Sequence, residues 1–244
     1  MTAPFPTRAQ EEWRYADLEA LKPVWDQLGD AASITVATGE TLEQIWLPTG
    51  EGVQIRRARI ALGERARATI FALNTAAHYG RIELDVTLAS DAEFELNAAN
   101  IGGGSANLEI VTTVRHVGER GRSRQTVRSV LGGKAVGTYL GKVAVARGAQ
   151  QTDSEQSVKA MLLDRGATSN CKPELEIFAD DVKCAHGASV GELDAAQMFY
   201  AMSRGLPPAE ARALLLEGFV MGLWDDAPDE AIGEAARNAL RAIA

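Results

Sequence analysis

From about residue 33 to residue 186 the chain alternates apolar and polar positions. In Arg81-Ile82-Glu83-Leu84-Asp85-Val86-Thr87-Leu88 every second residue is apolar; Phe94 with Leu96, Leu108 with Ile110, and Tyr139, Val143 and Val145 keep the same beat. A period of two places one side of each strand in a core. Glycines break the region at 39, 50, 52, 63, 80, 102 to 104, 118, 121, 132, 133, 137, 148 and 166, so the strands are short and bounded by turns. That spacing predicts an all-β architecture, for which two solutions compete. A sandwich or barrel usually shows Asn-Gly or Asp-Gly hairpins, and this chain has neither dipeptide. A parallel β-solenoid needs only bends between stacked strands. No crisp repeat is visible, so periodicity alone leaves both open.

Both flanks follow a helical beat instead. Between 8 and 28, Trp13, Leu18, Leu21 and Trp25 recur with charges between them, predicting a helix that Pro23 breaks or bends near its end. From about 192 onward, Asp194 with Gln197 resembles a capping box ahead of Met198, Tyr200 and Met202, and Gly205 is placed as a stop. Pro207-Pro208 and Glu210 then open a second helix. Its apolar residues Ala211, Leu214, Leu215, Leu216, Phe219, Val220 and Leu223 surround more of the helix than one core-facing stripe requires. A second face is therefore covered, either by the final helix (Ile232, Ala236, Leu240) or by a partner. The expected organisation is a helical segment at 1–32, a β core at 33–190 and a helical subdomain at 191–244.

Composition narrows the class without naming a function. With 46% hydrophobic and 24% charged residues, the 244-residue chain reads as a soluble globular protein. A formal charge of −8 argues against a nucleic-acid binder, which usually shows a basic face. No apolar run reaches the roughly 18 residues of a membrane span. The opening Met1-Thr2-Ala3-Pro4-Phe5-Pro6 lacks the pattern of a secretory leader, which predicts a cytoplasmic protein whose two cysteines, Cys171 and Cys184, are free thiols.

Candidate chemistry concentrates in Asp180-Asp181-Val182-Lys183-Cys184-Ala185-His186-Gly187. On a strand, Cys184 and His186 point to the same side. A thiolate beside an imidazole suits iron or zinc, but two ligands do not close a four-coordinate site. Three readings stand: a metal site completed by another chain, a buried cysteine beside a hydrogen-bonded histidine, or a Cys–His nucleophile with Asp180 or Asp181 orienting the base. His116 and His78 read as structural, and Cys171 as a small apolar filler. Gly102-Gly103-Gly104 lacks the Gly-Lys-Ser/Thr of a phosphate loop and no Gly-x-Gly-x-x-Gly opens a helix, so no nucleotide is expected to bind this chain.

Several segments together resemble a known family. Gly141-Lys142-Val143-Ala144-Val145, Ala149-Gln150-Gln151-Thr152-Asp153, Lys172-Pro173-Glu174-Leu175-Glu176-Ile177 and Asp180 to Ala188 are similar to the core signature of SufB/SufD proteins of iron–sulfur cluster assembly. Phe199 to Leu206, with Glu210-Ala211-Arg212 and the apolar run after it, continues the likeness. Glu12-Trp13-Arg14-Tyr15-Ala16-Asp17-Leu18 and the Cys-x-His-Gly-Ala form at 184 to 188 resemble the SufD branch. The resemblance implies a right-handed parallel β-helix core with a short N-terminal helical segment and a C-terminal helical subdomain. It implies a non-catalytic scaffold that pairs with SufB through the β-helix and docks the SufC ATPase on the C-terminal helices, through Tyr200, Arg204, Arg212, Leu215 and Phe219. Cys184 and His186 would help hold iron or a transient iron–sulfur cluster shared with SufB, and the sequence leaves open whether the chain forms a homodimer in isolation. The rivals are a stand-alone β-helix enzyme, for example one acting on carbohydrate, and a structural subunit whose Cys/His pair is inert.

Overall fold

The structure, a computed structural model, describes residues 4–49 and 52–243. The alternating region forms strands β1 (Ala32–Val36), β2 (Thr41–Trp46), β3 (Val53–Leu62), β4 (Arg67–Asn74), β5 (Tyr79–Leu88), β6 (Glu93–Gly102), β7 (Asn107–His116), β8 (Arg122–Leu131), β9 (Val136–Val145), β10 (Asp153–Leu162), β11 (Thr168–Ile177) and β12 (Lys183–Glu192). Odd-numbered strands make one sheet and even-numbered strands the other, in the order β1-β3-β5-β7-β9-β11 and β12-β10-β8-β6-β4-β2. Every pairing is parallel. The chain is a β-solenoid with two strands to each coil, which resolves the choice between the two all-β solutions.

The repeat that the sequence hides is visible in the register. Arg67 lies under Glu93, Glu93 under Arg122 and Arg122 under Asp153. Coils thus lengthen from 26 residues (Val53 to Tyr79) to 32 (Val136 to Thr168). Every strand from β5 to β12 has ten residues, and the extra length goes into the bends. The lumen between the sheets holds the largest core, including Ile60, Leu84, Val86, Phe94, Leu96, Val114, Val127 and Val143. Side chains of that size contribute about 1.5–3 kcal/mol each when fully buried.

The outer face of the even-numbered sheet is apolar as well. Phe71, Leu73, Ala99, Ile101 and Val130 pack against the C-terminal helices, of which α2 spans Ala195–Ser203, α3 Pro208–Val220 and α4 Ala231–Ile243. Asp194 caps α2 by accepting from the Ala196 and Gln197 amides, Gly205 ends it at φ +97°, and Pro208 stands in the first turn of α3. Leu216 and Val220 of α3 meet Ile232, Ala236 and Leu240 of α4. The final helix is thus one cover of the over-apolar helix, and Leu214 on α3 remains exposed.

The N-terminal segment departs from the single helix predicted over 8–28. It forms a 3-10 turn at Glu11–Trp13, a short helix α1 (Leu18–Leu21) capped by Asp17, and a 3-10 stretch at Lys22–Gln27. Asp17 starts a new helix by accepting the Ala20 amide at 3.0 Å, and Pro23 denies the next turn a donor. The segment lies as a strap on the outer face of the odd-numbered sheet. Trp13, Ala16 and Leu21 cover Tyr79, the Arg81 guanidinium stacks 3.8 Å from the Trp13 ring, and Asn107 donates to the Tyr15 carbonyl at 3.2 Å. At its far end Glu11 meets Lys172 on β11 at 2.6 Å. Beneath the strap, Arg81 pairs with Glu109 at 3.1 Å, both side chains fully buried, and with Glu83 at 3.0 Å. The Tyr79 hydroxyl donates to Glu109 at 2.6 Å.

Candidate functional site

The solenoid ends on an open rung. β12 pairs with β10 on one side only, and its burial pattern differs from the strands below: Cys184 is half-buried and every other residue is exposed. Lys183 donates its amide to Thr152, so odd-numbered residues of β12 point their backbone groups at β10. By alternation Cys184, His186, Ala188, Val190 and Glu192 point theirs at the free edge. On β11 the amides of Thr168 and Phe178, both even-numbered, bracket the bonds to β9. The odd-numbered residues there face the free edge, and one of them is Pro173, which has no N–H.

The side chains of Cys184 and His186 complete two inward columns. Cys184 stands in register on Ser154, Ser123, Phe94 and Ala68; His186 stands on Gln156, Gln125, Leu96 and Ile70. Both columns begin apolar and turn polar as they approach the open rung. Each polar side chain of these rungs makes at least one hydrogen bond, though not with every atom. His116 shares a hydrogen bond with Ser123 at 2.9 Å, and Ser123 with Ser154 at 2.9 Å. Thr112 donates to Gln125 at 2.6 Å, Tyr139 donates to Gln125 at 3.2 Å, and Gln156 donates to the Tyr139 hydroxyl at 3.0 Å. Gln125 Nε2, Gln156 Oε1 and His116 Nδ1 are buried without a partner.

Burial sets the protonation of these groups. It pushes the His116 imidazole down to about 4, keeping it neutral, and it pushes the Tyr139 phenol up. Burial also raises the Cys184 thiol; the Ser154 backbone, which hydrogen-bonds it, acts against this, and the charge of Asp153 adds to it.

Cys184 and His186 are adjacent on the inward side, as the alternation predicts, yet in this chain His186 is exposed rather than buried. Among the described residues no three His, Cys, Asp or Glu side chains come together to hold a metal. No hydrogen bond joins Cys184 to His186 among those residues either, and Asp180 and Asp181 make none to the imidazole, so a nucleophilic dyad is not assembled. Cys171 lies inside β11 over Tyr139, half-buried against the lumen core and 3.4 Å from the Ser169 hydroxyl; it and Cys184 are unpaired. His116 is a fully buried structural histidine, and His78 is an exposed one 3.9 Å from Asp17.

The five helical residues separate. Tyr200 and Arg204 are exposed on and just after α2, Arg212 and Leu215 are half-buried on α3, and Phe219 turns toward the core beside Arg128. Phe199, 74% exposed, was not among them, nor was the groove of about 560 Å³ that it lines with Met198, Met202, Leu193 and Arg212. An aromatic three residues ahead of Met202 on a capped helix was the available signal. No helix among the described residues is long and apolar enough to cross a membrane.

The chain is thus a parallel β-solenoid with an open, thiol-bearing last rung and a helical cap. Residues 27–219 match the family described as SUF system FeS cluster assembly, SufBD core domain, and the chain belongs to that family. It is 33% identical over 181 residues to an iron–sulfur cluster assembly SufBD family protein of Synechocystis, covering 74% of this chain and 40% of that protein. It is 36% identical over 110 residues to the iron–sulfur cluster assembly protein SufD of Escherichia coli, and 30% identical over 132 residues to SufD of Bacillus subtilis. Those matches cover 45% and 54% of this chain, but 26% and 30% of the relatives. The chain therefore spans less than half the length of these relatives.

Proposed function

We propose that the chain is a SufD-like, non-catalytic half of an iron–sulfur assembly scaffold in the cytoplasm. It pairs with a SufB-type chain across the open rung, and iron or a nascent cluster is the cargo held between them. Cys184 supplies a thiolate and His186 an imidazole, and the partner supplies the remaining ligands. A SufC-type ATPase docks on the helical cap, at Tyr200, Arg204, Arg212, Leu215 and Phe219. The observation that carries this reading is the incomplete ligand pair on a strand whose edge is unpaired. Soft and borderline donors in that number make chemical sense only if a second surface closes the site.

In this reading movement is a difference in contacts. The ATPase must grip the cap differently in two states to shift the rung, since a ligand with no differential affinity shifts nothing. The test is reconstitution with SufB- and SufC-type chains, wild type against His186→Ala, scoring iron and sulfide bound per complex. Intact assembly with a collapsed cluster yield supports the reading. Unchanged yield makes the Cys/His pair structural.

A further inference from the structure

At the corner where each coil enters the even-numbered sheet, charge alternates along the solenoid. The first residues of the strands stack as Thr41, Arg67, Glu93, Arg122, Asp153 and Lys183. Two residues earlier, Arg65, Asp91, Arg120 and Gln151 each occupy the left-handed region at φ 56° to 59°. Asp181 takes the equivalent place ahead of Lys183, its carbonyl accepting the Gln151 amide. Two ion pairs bridge neighbouring rungs, Arg120 clamping Asp91 at 2.7 and 2.8 Å and Arg67 facing Glu93 at 3.6 Å. The two columns line a groove of about 890 Å³ that runs to the open rung. At that rung Asp181 and Lys183 are exposed and, like Arg122 and Asp153 below them, make no ion pair among the described residues.

We infer that Asp181 and Lys183 set the register of the partner on the open rung: the strand pairing with β12 brings a basic side chain against Asp181 and an acidic one against Lys183. This rests on the reading above, that another chain of the family abuts this rung. Three observations select that occupant. The strand-start column alternates sign at every charged rung, so the next rung in the stack is the complement of the last. The β12 edge offers an unbroken set of backbone donors, whereas Pro173 interrupts the β11 edge, so the incoming strand seats on β12. The opposite end of this chain carries Gly39 and Thr41 at the two positions, so head-to-tail stacking of copies would leave both charges unanswered.

The test is sedimentation of the full chain with a SufB-family chain of the same organism, at low ionic strength and at about 0.5 M salt, where screening is nearly complete beyond direct contact. Asp181→Lys and Lys183→Glu are each expected to weaken pairing about tenfold at low salt and less at high salt. Both side chains are exposed, and circular dichroism checks that the fold is kept. Pro173→Val is expected to leave pairing unchanged. Reversals that leave the low-salt Kd within about twofold overturn the inference while the pairing itself stands. A wild-type chain that does not pair at all overturns the underlying reading and the inference with it. Self-association lost on reversal assigns the rung to a second copy and overturns the partner named here.

Discussion

Replacing Glu109 by Gln under the N-terminal strap tests how the strap is held. The carboxylate is fully buried, accepts from Tyr79 and pairs with the fully buried Arg81. Burial works against the Arg81 guanidinium, and Glu109 with Glu83 more than offsets it, holding its pKa above the ordinary value. Removing one member of a buried pair costs about 3–5 kcal/mol, because the other charge stays in the interior. Here Arg81 keeps Glu83 and the Trp13 face, and a glutamine oxygen can still accept from Tyr79. The lower end, about 3 kcal/mol, is therefore expected. For a chain of this size that lowers Tm by roughly 6–12 °C. Urea unfolding of Glu109→Gln beside the double replacement Arg81→Met/Glu109→Leu gives the comparison. The double variant should lose about 1 kcal/mol, chiefly the Tyr79 hydrogen bond. A Glu109→Gln chain within about 0.5 kcal/mol of wild type would falsify the claim that an uncompensated charge is left inside.

Three further outcomes follow from the lumen. His116 is held at about 4, below its ordinary 6.5, so as pH falls the unfolded chain takes the proton first. Stability from this group is full above 6.5 and declines toward 4, by on the order of 3 kcal/mol; urea midpoints across that range should flatten in His116→Gln relative to wild type. A Cβ on Gly141 would overlap the Tyr139 ring and hydroxyl, so Gly141→Ala should destabilise by about 2–3 kcal/mol in urea unfolding, while Gly148→Ala, with open space around it, should be near neutral in the same assay. In a Cys171→Ser background, alkylation of Cys184 by iodoacetamide should reach half its maximal rate above the ordinary thiol range, and a midpoint at or below that range would contradict the burial argument.

Much of the fold was legible because period-two alternation is clear in strands such as β5, β6 and β9, and strand ends carry turn residues. The solenoid repeat was not, since coils grow from 26 to 32 residues and no fixed offset aligns them. The family signature supplied what periodicity lacked. At the site, alternation put Cys184 and His186 on one side of a strand and was right to do so. It gave no hint that Ser123, Ser154, Gln125 and Gln156, apparently polar exceptions, stack beneath them in the lumen, because partners about 30 residues apart are set by register and not by local pattern. The N-terminal helix failed for a local reason: Asp17 and Pro23 divide a segment whose apolar residues are placed by the sheet below them.

The strap also changes how the chain completes itself. A solenoid is close to one-dimensional, each coil touching only its neighbours, so it can grow or fray from either end. Glu11 reaching Lys172 joins residues 161 positions apart and spans the coils from β5 to β11. During synthesis the strap's last contact cannot form until the penultimate strand has emerged. Fraying of the thiol-bearing end would, in turn, loosen the N-terminus. The strap thus adds to a stack of neighbour-only contacts one tie that runs from the first residues to the penultimate strand, and an exposed ion pair of this kind contributes little to stability.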